Sequence, residues 1–197
     1  MEVYRNHGES EENYNYRVKA YKLFQLICEK ESSMFKHKDM FMIEYNTDFS
    51  VFIEYNDKDD VYHGGDPTSI DGSIYIPEKV NEILSINLTN RAIQNRLKRL
   101  SYSYDNDKNR IFVFMVLHEI GHIYQERYWM NIPTERIKSN AKYEKLCRPM
   151  YKIVSMIKND KVAQRLYRHI PNEYIADKLA VKWMNVYKEE IYKIMGE

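Results

Sequence analysis

Residues Ile111–Leu117 read Ile-Phe-Val-Phe-Met-Val-Leu, an unbroken apolar run with no polar face. A helix with such a surface has to be covered on nearly every side, so the rest of the chain must form a core around it. The means are present: 44% of the 197 residues are hydrophobic and 30% charged, the balance of an ordinary globular domain. That length fits a single domain, 1–197, with the polar first thirteen residues expected to be loose. The run is too short to span a bilayer. Thirty Lys and Arg against 29 Asp and Glu leave a formal charge of +1, so no strong field draws the molecule to nucleic acid or to a membrane surface. Cys28 and Cys147 are far apart, without the close spacing of a zinc ribbon or redox pair, and the polar N-terminus has no signal-peptide pattern. These features point to the cytoplasm.

Around this helix the periodicity predicts an α+β arrangement. An amphipathic helix covers Tyr16–Glu31, followed by strands at Met40–Tyr45 and Phe49–Tyr55 joined as a hairpin through Asn46-Thr47-Asp48. A loop holds His63-Gly64-Gly65-Asp66-Pro67, and Ser73-Ile74-Tyr75-Ile76-Pro77 is a further strand whose proline suits a sheet edge. From Glu78 onward helix dominates. One helix starts at Asn90 and carries the basic residues Arg91, Arg96, Lys98 and Arg99, read as a solvated face. Others cover Ala141–Leu146, Tyr151–Tyr167 and Asn172–Met195, with Pro149 and Pro171 as breaks. The eighteen tyrosines are read as amphipathic surface aromatics, with no chemistry assigned.

The chemistry lies where the apolar run ends. His118, Glu119 and His122 follow it directly, and such groups at the end of a buried helix are costly unless partnered. Four residues apart, His118 and His122 share a helix face and can turn their imidazoles toward one point, a metal site. Glu119 lies about a hundred degrees round from His118, within reach of a group on the metal without competing as a ligand. This is the H-E-x-x-H arrangement. A catalytic zinc has three protein ligands and an open position. Only His169 among the histidines follows His122, and Tyr128 stands where an extended three-histidine pattern would need its last ligand. The better third ligand is Glu173, four residues before Asp177 on a helix that starts at Pro171-Asn172. Ala176 and Ala180 flank that face and would let two helices approach closely. Asp177 would then accept the second ring hydrogen of a ligand histidine.

With these residues the chain resembles the gluzincins, which join H-E-x-x-H to a glutamate helix. Val116-Leu117-His118-Glu119-Ile120-Gly121-His122-Ile123 together with Glu173-x-x-Ala176-Asp177-x-Leu179-Ala180 is most similar to the ImmA/IrrE-type metallopeptidases. The resemblance implies a minimal zincin-like fold, with a small mixed sheet, an edge strand over the active-site helix and a helical C-terminal half. It implies one Zn²⁺ per chain on His118, His122 and Glu173, Glu119 as general base, and a peptide or protein substrate extended along Ser73, Ile74, Tyr75 and Ile76. His169 and several tyrosines, Tyr174 among them, are candidates for the donor that would stabilise an oxyanion, and the sequence does not rank them. Leu179 stands where the family has phenylalanine, and the long stretch from Ile123 to Asn172 calls for an extra helix. The expected activity is hydrolysis of a peptide bond in one particular protein, with no nucleic-acid or membrane partner. The alternatives are a non-proteolytic regulatory or binding module on the same scaffold, and a helical interaction module whose two motifs coincide by chance.

Overall fold

The computed structural model describes residues 5, 7–31, 41–46, 52–55, 72–77, 79–89, 91–100, 107–130 and 143–196. The loop at 57–71, the turn residues Thr47 and Asp48, and Asn90 lie outside them. The first helix, α1 (Glu11–Lys30), starts earlier than its apolar periodicity suggested. Ser10 caps it by accepting the amide hydrogen of Asn13 at 3.1 Å, which satisfies one of the free N–H groups of the first turn. Arg17 then closes a buried two-bond ion pair with Glu9, at 2.6 and 2.7 Å. The polar N-terminal residues from Glu9 to Asn13 thus form a cap and a buried ion pair, and the expectation that residues 1–13 are loose fails for them.

Three short strands follow, β1 (Phe41–Asn46), β2 (Phe52–Tyr55) and β3 (Gly72–Pro77). Their order is β1-β3-β2, with β1 parallel and β2 antiparallel to β3. Two expectations are corrected by this order. β1 and β2 do not form a hairpin, because β3 enters between them. Ser73, Ile74 and Tyr75 are paired on both sides in the middle strand, so they are not an open edge on which a substrate could pair, and Ile76 lies one residue past the β2 ladder, paired with β1 alone. Pro77 misleads for a physical reason. The register with β2 runs only from Gly72 to Tyr75, so the proline sits past the end of that ladder, where a missing N–H breaks no bond to β2.

The described residues that follow are mostly helical: α2 (Val80–Thr89), α3 (Arg91–Arg99), α4 (Lys108–Met130), a π-helical turn (Tyr143–Cys147), α5 (Arg148–Ser155), α6 (Asp160–Tyr167), α7 (Pro171–Val186) and α8 (Lys188–Met195). The α+β class with an edge strand above the active-site helix therefore gives way to a fold that is predominantly helical among the described residues. Its sheet is limited to strands of six, four and six residues, packed chiefly against α1. The expected helix over Tyr151–Tyr167 is divided: α5 ends at Ser155 and Asn159 caps α6 through the amides of Lys161 and Val162. Pro149 and Pro171 occur in the first turns of α5 and α7, where a missing N–H costs nothing, so they begin helices.

The apolar run lies in the first half of α4, buried as its composition requires. Ile111, Phe112, Phe114, Val116 and Leu117 are all at most 1% exposed. Asp107 starts the helix, its side chain accepting the Asn109 amide at 2.8 Å and its carbonyl accepting that of Ile111. Leu23, Phe24 and Ile27 of α1, Leu84 of α2, Leu97 of α3 and Trp183 of α7 complete the core around it. Among the described residues no helix is long and apolar enough to cross a membrane.

Candidate metal centre

α4 packs most extensively on α7, and the site lies at that contact. Its closeness is set by Gly121. A Cβ there would meet the Cα and carbonyl oxygen of Ala176 at 3.1 Å, so the pair Gly121/Ala176 lets backbone approach backbone. Gln125 ties the two elements together beside this point, donating to the carbonyls of Gly121 (3.2 Å) and Asn172 (3.1 Å). Glu173 then falls in the first turn of α7, where the helix dipole favours a negative charge, and it faces His118 and His122 across the contact.

The three groups converge. His118 Nε2 lies 3.2 Å from His122 Nε2 and 3.3 Å from Glu173 Oε2, and His122 Nε2 lies 3.6 Å from Glu173 Oε1. A tetrahedral ion with bonds of about 2.0–2.2 Å sets its ligand atoms about 3.3–3.6 Å apart. The imidazole pair has nearly that spacing, each imidazole has its own Glu173 oxygen within 3.6 Å, and the buried group His118, His122 and Glu173 could hold a metal ion. Glu119 is adjacent but set back, its Oε1 at 3.9 Å from His118 Nε2 and its side chain 15% exposed.

Asp177, one turn beyond Glu173, has its Oδ1 2.8 Å from His118 Nδ1. A carboxylate can only accept, so the proton of His118 is assigned to Nδ1, leaving Nε2 with its lone pair toward the other ligands. Arg96 of α3 completes this side, bonding Asp177 with both Nε and Nη2. On the far side Tyr151 of α5 donates to Glu173 Oε1 at 2.7 Å, and Arg168 donates to Oε2 at 3.5 Å. Tyr167 packs edge-on against Tyr151, with ring centroids 5.7 Å apart.

The electrostatics suit a cation. Burial, the largest effect, drives His118 down to about 3, with the hydrogen bond to Glu173 opposing it, and burial also lowers His122; both imidazoles are neutral ligands. Burial raises Glu173, but His118, His122 and Tyr151 together outweigh it and hold the carboxylate at about 2. Glu119 goes the other way, to about 8, through burial first and then repulsion from Glu173. Burial lowers even Arg96, to about 9. Burial and the carboxylate of Glu173 raise Tyr151 and Tyr167 well above the usual phenol range. Two carboxylates beside neutral imidazoles form a pocket that a divalent ion would relieve.

All five residues singled out by the two motifs come together here. His169 and Tyr174 do not join them: His169 is exposed with Nδ1 against the Arg165 carbonyl, and Tyr174 is 47% exposed beneath Lys178. Ser73, Ile74 and Tyr75, paired on both sides in the sheet, are not available as an edge, and Ile76 is paired with β1 alone. Four residues that the motifs do not contain are brought in: Arg96, Tyr151, Tyr167 and Arg168. The one signal for any of them was Arg96, a basic residue one position before Leu97 on an amphipathic helix. Compared with protein-family models, with curated proteins and with solved structures, the chain matches none.

Proposed function

We propose that the chain is a zinc-dependent metallopeptidase with a gluzincin-type ligand set, His118, His122 and Glu173. The observation that carries the proposal is the convergence of three groups, the two Nε2 atoms 3.2 Å apart with Glu173 Oε2 3.3 Å from His118 and Oε1 3.6 Å from His122, and with Glu119 beside them rather than among them. A structural site has no need of a carboxyl group beside the ligands at that position, whereas hydrolysis does. Zinc supplies Lewis acidity there, making water reactive near neutral pH and polarising a carbonyl. Glu119 accepts the proton of the attacking water and returns it to the leaving amine, a role that its place beside the three ligand groups, 3.9 Å from His118 Nε2, allows. Asp177 keeps His118 in the tautomer that offers Nε2. Tyr151 and Arg168 hold Glu173 from the opposite side and fix its orientation. Cys28 and Cys147 are both buried thiols, which suits the cytoplasm.

The test is cleavage of a peptide library by purified protein with zinc. Wild type should cleave, and a chelator should stop it. Glu119→Gln should keep its zinc and lose about 10²-fold or more of the rate, since the amide keeps the shape but cannot take the proton. Cleavage by Glu119→Gln at the wild-type rate would contradict the assignment. Zinc binding without cleavage of any peptide would leave the non-proteolytic alternative in its place.

A further inference from the structure

Arg96 is out of place for a residue on the basic face of a surface helix. Its side chain is 11% exposed, its guanidinium lies over the Phe114 ring at 4.8 Å, and its charge is directed inward at Asp177. Lys98, two residues on, is exposed. The contact joins three elements: α3 supplies the arginine, α7 the carboxylate, and α4 both the ring beneath and the histidine beyond.

We propose that Arg96 is a positioning residue of the metal centre, gripping both oxygens of Asp177 so that Oδ1 is aimed at His118 Nδ1 and Nε2 is left facing the metal. This rests on the metal-centre reading above. The geometry gives Arg96 a part that Asp177 cannot play alone. A lone carboxylate is free to rotate about its terminal bond and to swing its acceptor away from the ring. The fork bonds Nε to Oδ2 and Nη2 to Oδ1, which fixes the plane of the carboxylate. Oδ1 then receives two donors, Arg96 Nη2 and His118 Nδ1, which are 2.9 Å from each other because both converge on the same atom. If His118 carried its proton on Nε2 instead, two lone pairs would face each other across 2.8 Å and an N–H would point at the metal. Lysine cannot reproduce the arrangement, since a single ammonium cannot hold both oxygens in one plane.

A purely structural tie between α3 and α7 would leave the same contacts, so the experiment must read the histidine and the metal separately from the fold. Zn²⁺ is titrated against a competing chelator into the full-length wild type, Arg96→Lys, Arg96→Gln, Asp177→Asn, Arg96→Lys/Asp177→Asn and the control Lys98→Met, with helicity checked for each. In parallel, ¹⁵N chemical shifts of the His118 ring are recorded without metal. Arg96→Lys and Arg96→Gln should bind zinc about 10–100-fold more weakly than wild type, the range for losing a partner of a ligand. The double variant should be no weaker than Asp177→Asn alone, because Arg96 acts through Asp177. His118 should be predominantly the Nδ1–H tautomer in wild type and a mixture in Arg96→Lys, and Lys98→Met should match wild type in both readings. Wild-type affinity in both Arg96 variants, or losses that multiply with that of Asp177→Asn, overturns the inference alone. Failure of the wild type itself to take up zinc overturns the metal-centre reading, and this inference with it.

Discussion

Glu119 and His118 are neighbours whose acidities burial drives in opposite directions, and this gives the metal-free protein two pH liabilities. Glu119 titrates at about 8 in the folded chain against an ordinary 4.5, so the native state holds the extra proton and loses stability as pH rises through that window. His118 titrates at about 3 against 6.5, so the unfolded state binds more protons and native stability falls as pH drops below 6.5. Glu119→Gln removes only the first. In chelator, denaturant unfolding should show this variant gaining on wild type between pH 5 and pH 8, by about 2 kcal/mol or more at the upper end, since a tenfold change in proton affinity is worth about 1.4 kcal/mol. An equal stability difference at both pH values would refute it. The other carboxylates test the ligand assignment. Glu173→Ala removes a metal bond, whereas Asp177→Ala frees an imidazole and should cost about 10–100-fold in zinc affinity. Titration should rank wild type above Asp177→Ala, and Asp177→Ala above Glu173→Ala. The reverse order would make Asp177 the ligand. At this scale the residues set by helical spacing, His118, Glu119, His122, Glu173 and Asp177, were legible because four residues along a helix always share a face. Arg96, Tyr151 and Tyr167 were not, because they reach the site from other helices and nothing in their local sequence separates them from surface residues.

At the scale of elements, the site depends on how closely α4 and α7 approach, and Gly121 sets that distance. Alanine would favour helix by up to about 1 kcal/mol. Its Cβ, however, would lie 3.1 Å from backbone atoms of Ala176, which cannot swing aside as a side chain could. The clash should win: Gly121→Ala should lose about 1–3 kcal/mol of stability and weaken zinc binding as well, since Glu173 rides on the displaced helix. Denaturant unfolding and zinc titration together check this, and wild-type values in both would show that the contact has slack. Most helices were legible from periodicity and proline, but their breaks at Ser155 and Tyr187 were not. The strands were found, yet their order was not. Pairing joins residues distant in sequence, and a proline beyond the end of the β2 ladder looks, in sequence, the same as one on an edge.

Over the whole molecule, the candidate metal centre draws on α3, α4, α5 and α7, so its occupancy by an ion should be felt by all the elements that meet there. A ligand at a hundred times its dissociation constant stabilises the native state by about 2.7 kcal/mol, and each kcal/mol is worth about 2–4 °C in a domain of this size. Zinc should therefore raise the midpoint of thermal unfolding by about 5–11 °C, and Lys98→Met should respond as wild type does. The most direct test of the central claim is elemental analysis of the full-length protein beside His118→Ala/His122→Ala, both dialysed against buffered zinc. The account predicts about one zinc per wild-type chain and essentially none in the double variant. Full zinc occupancy in the double variant, or none in the wild type, would contradict it.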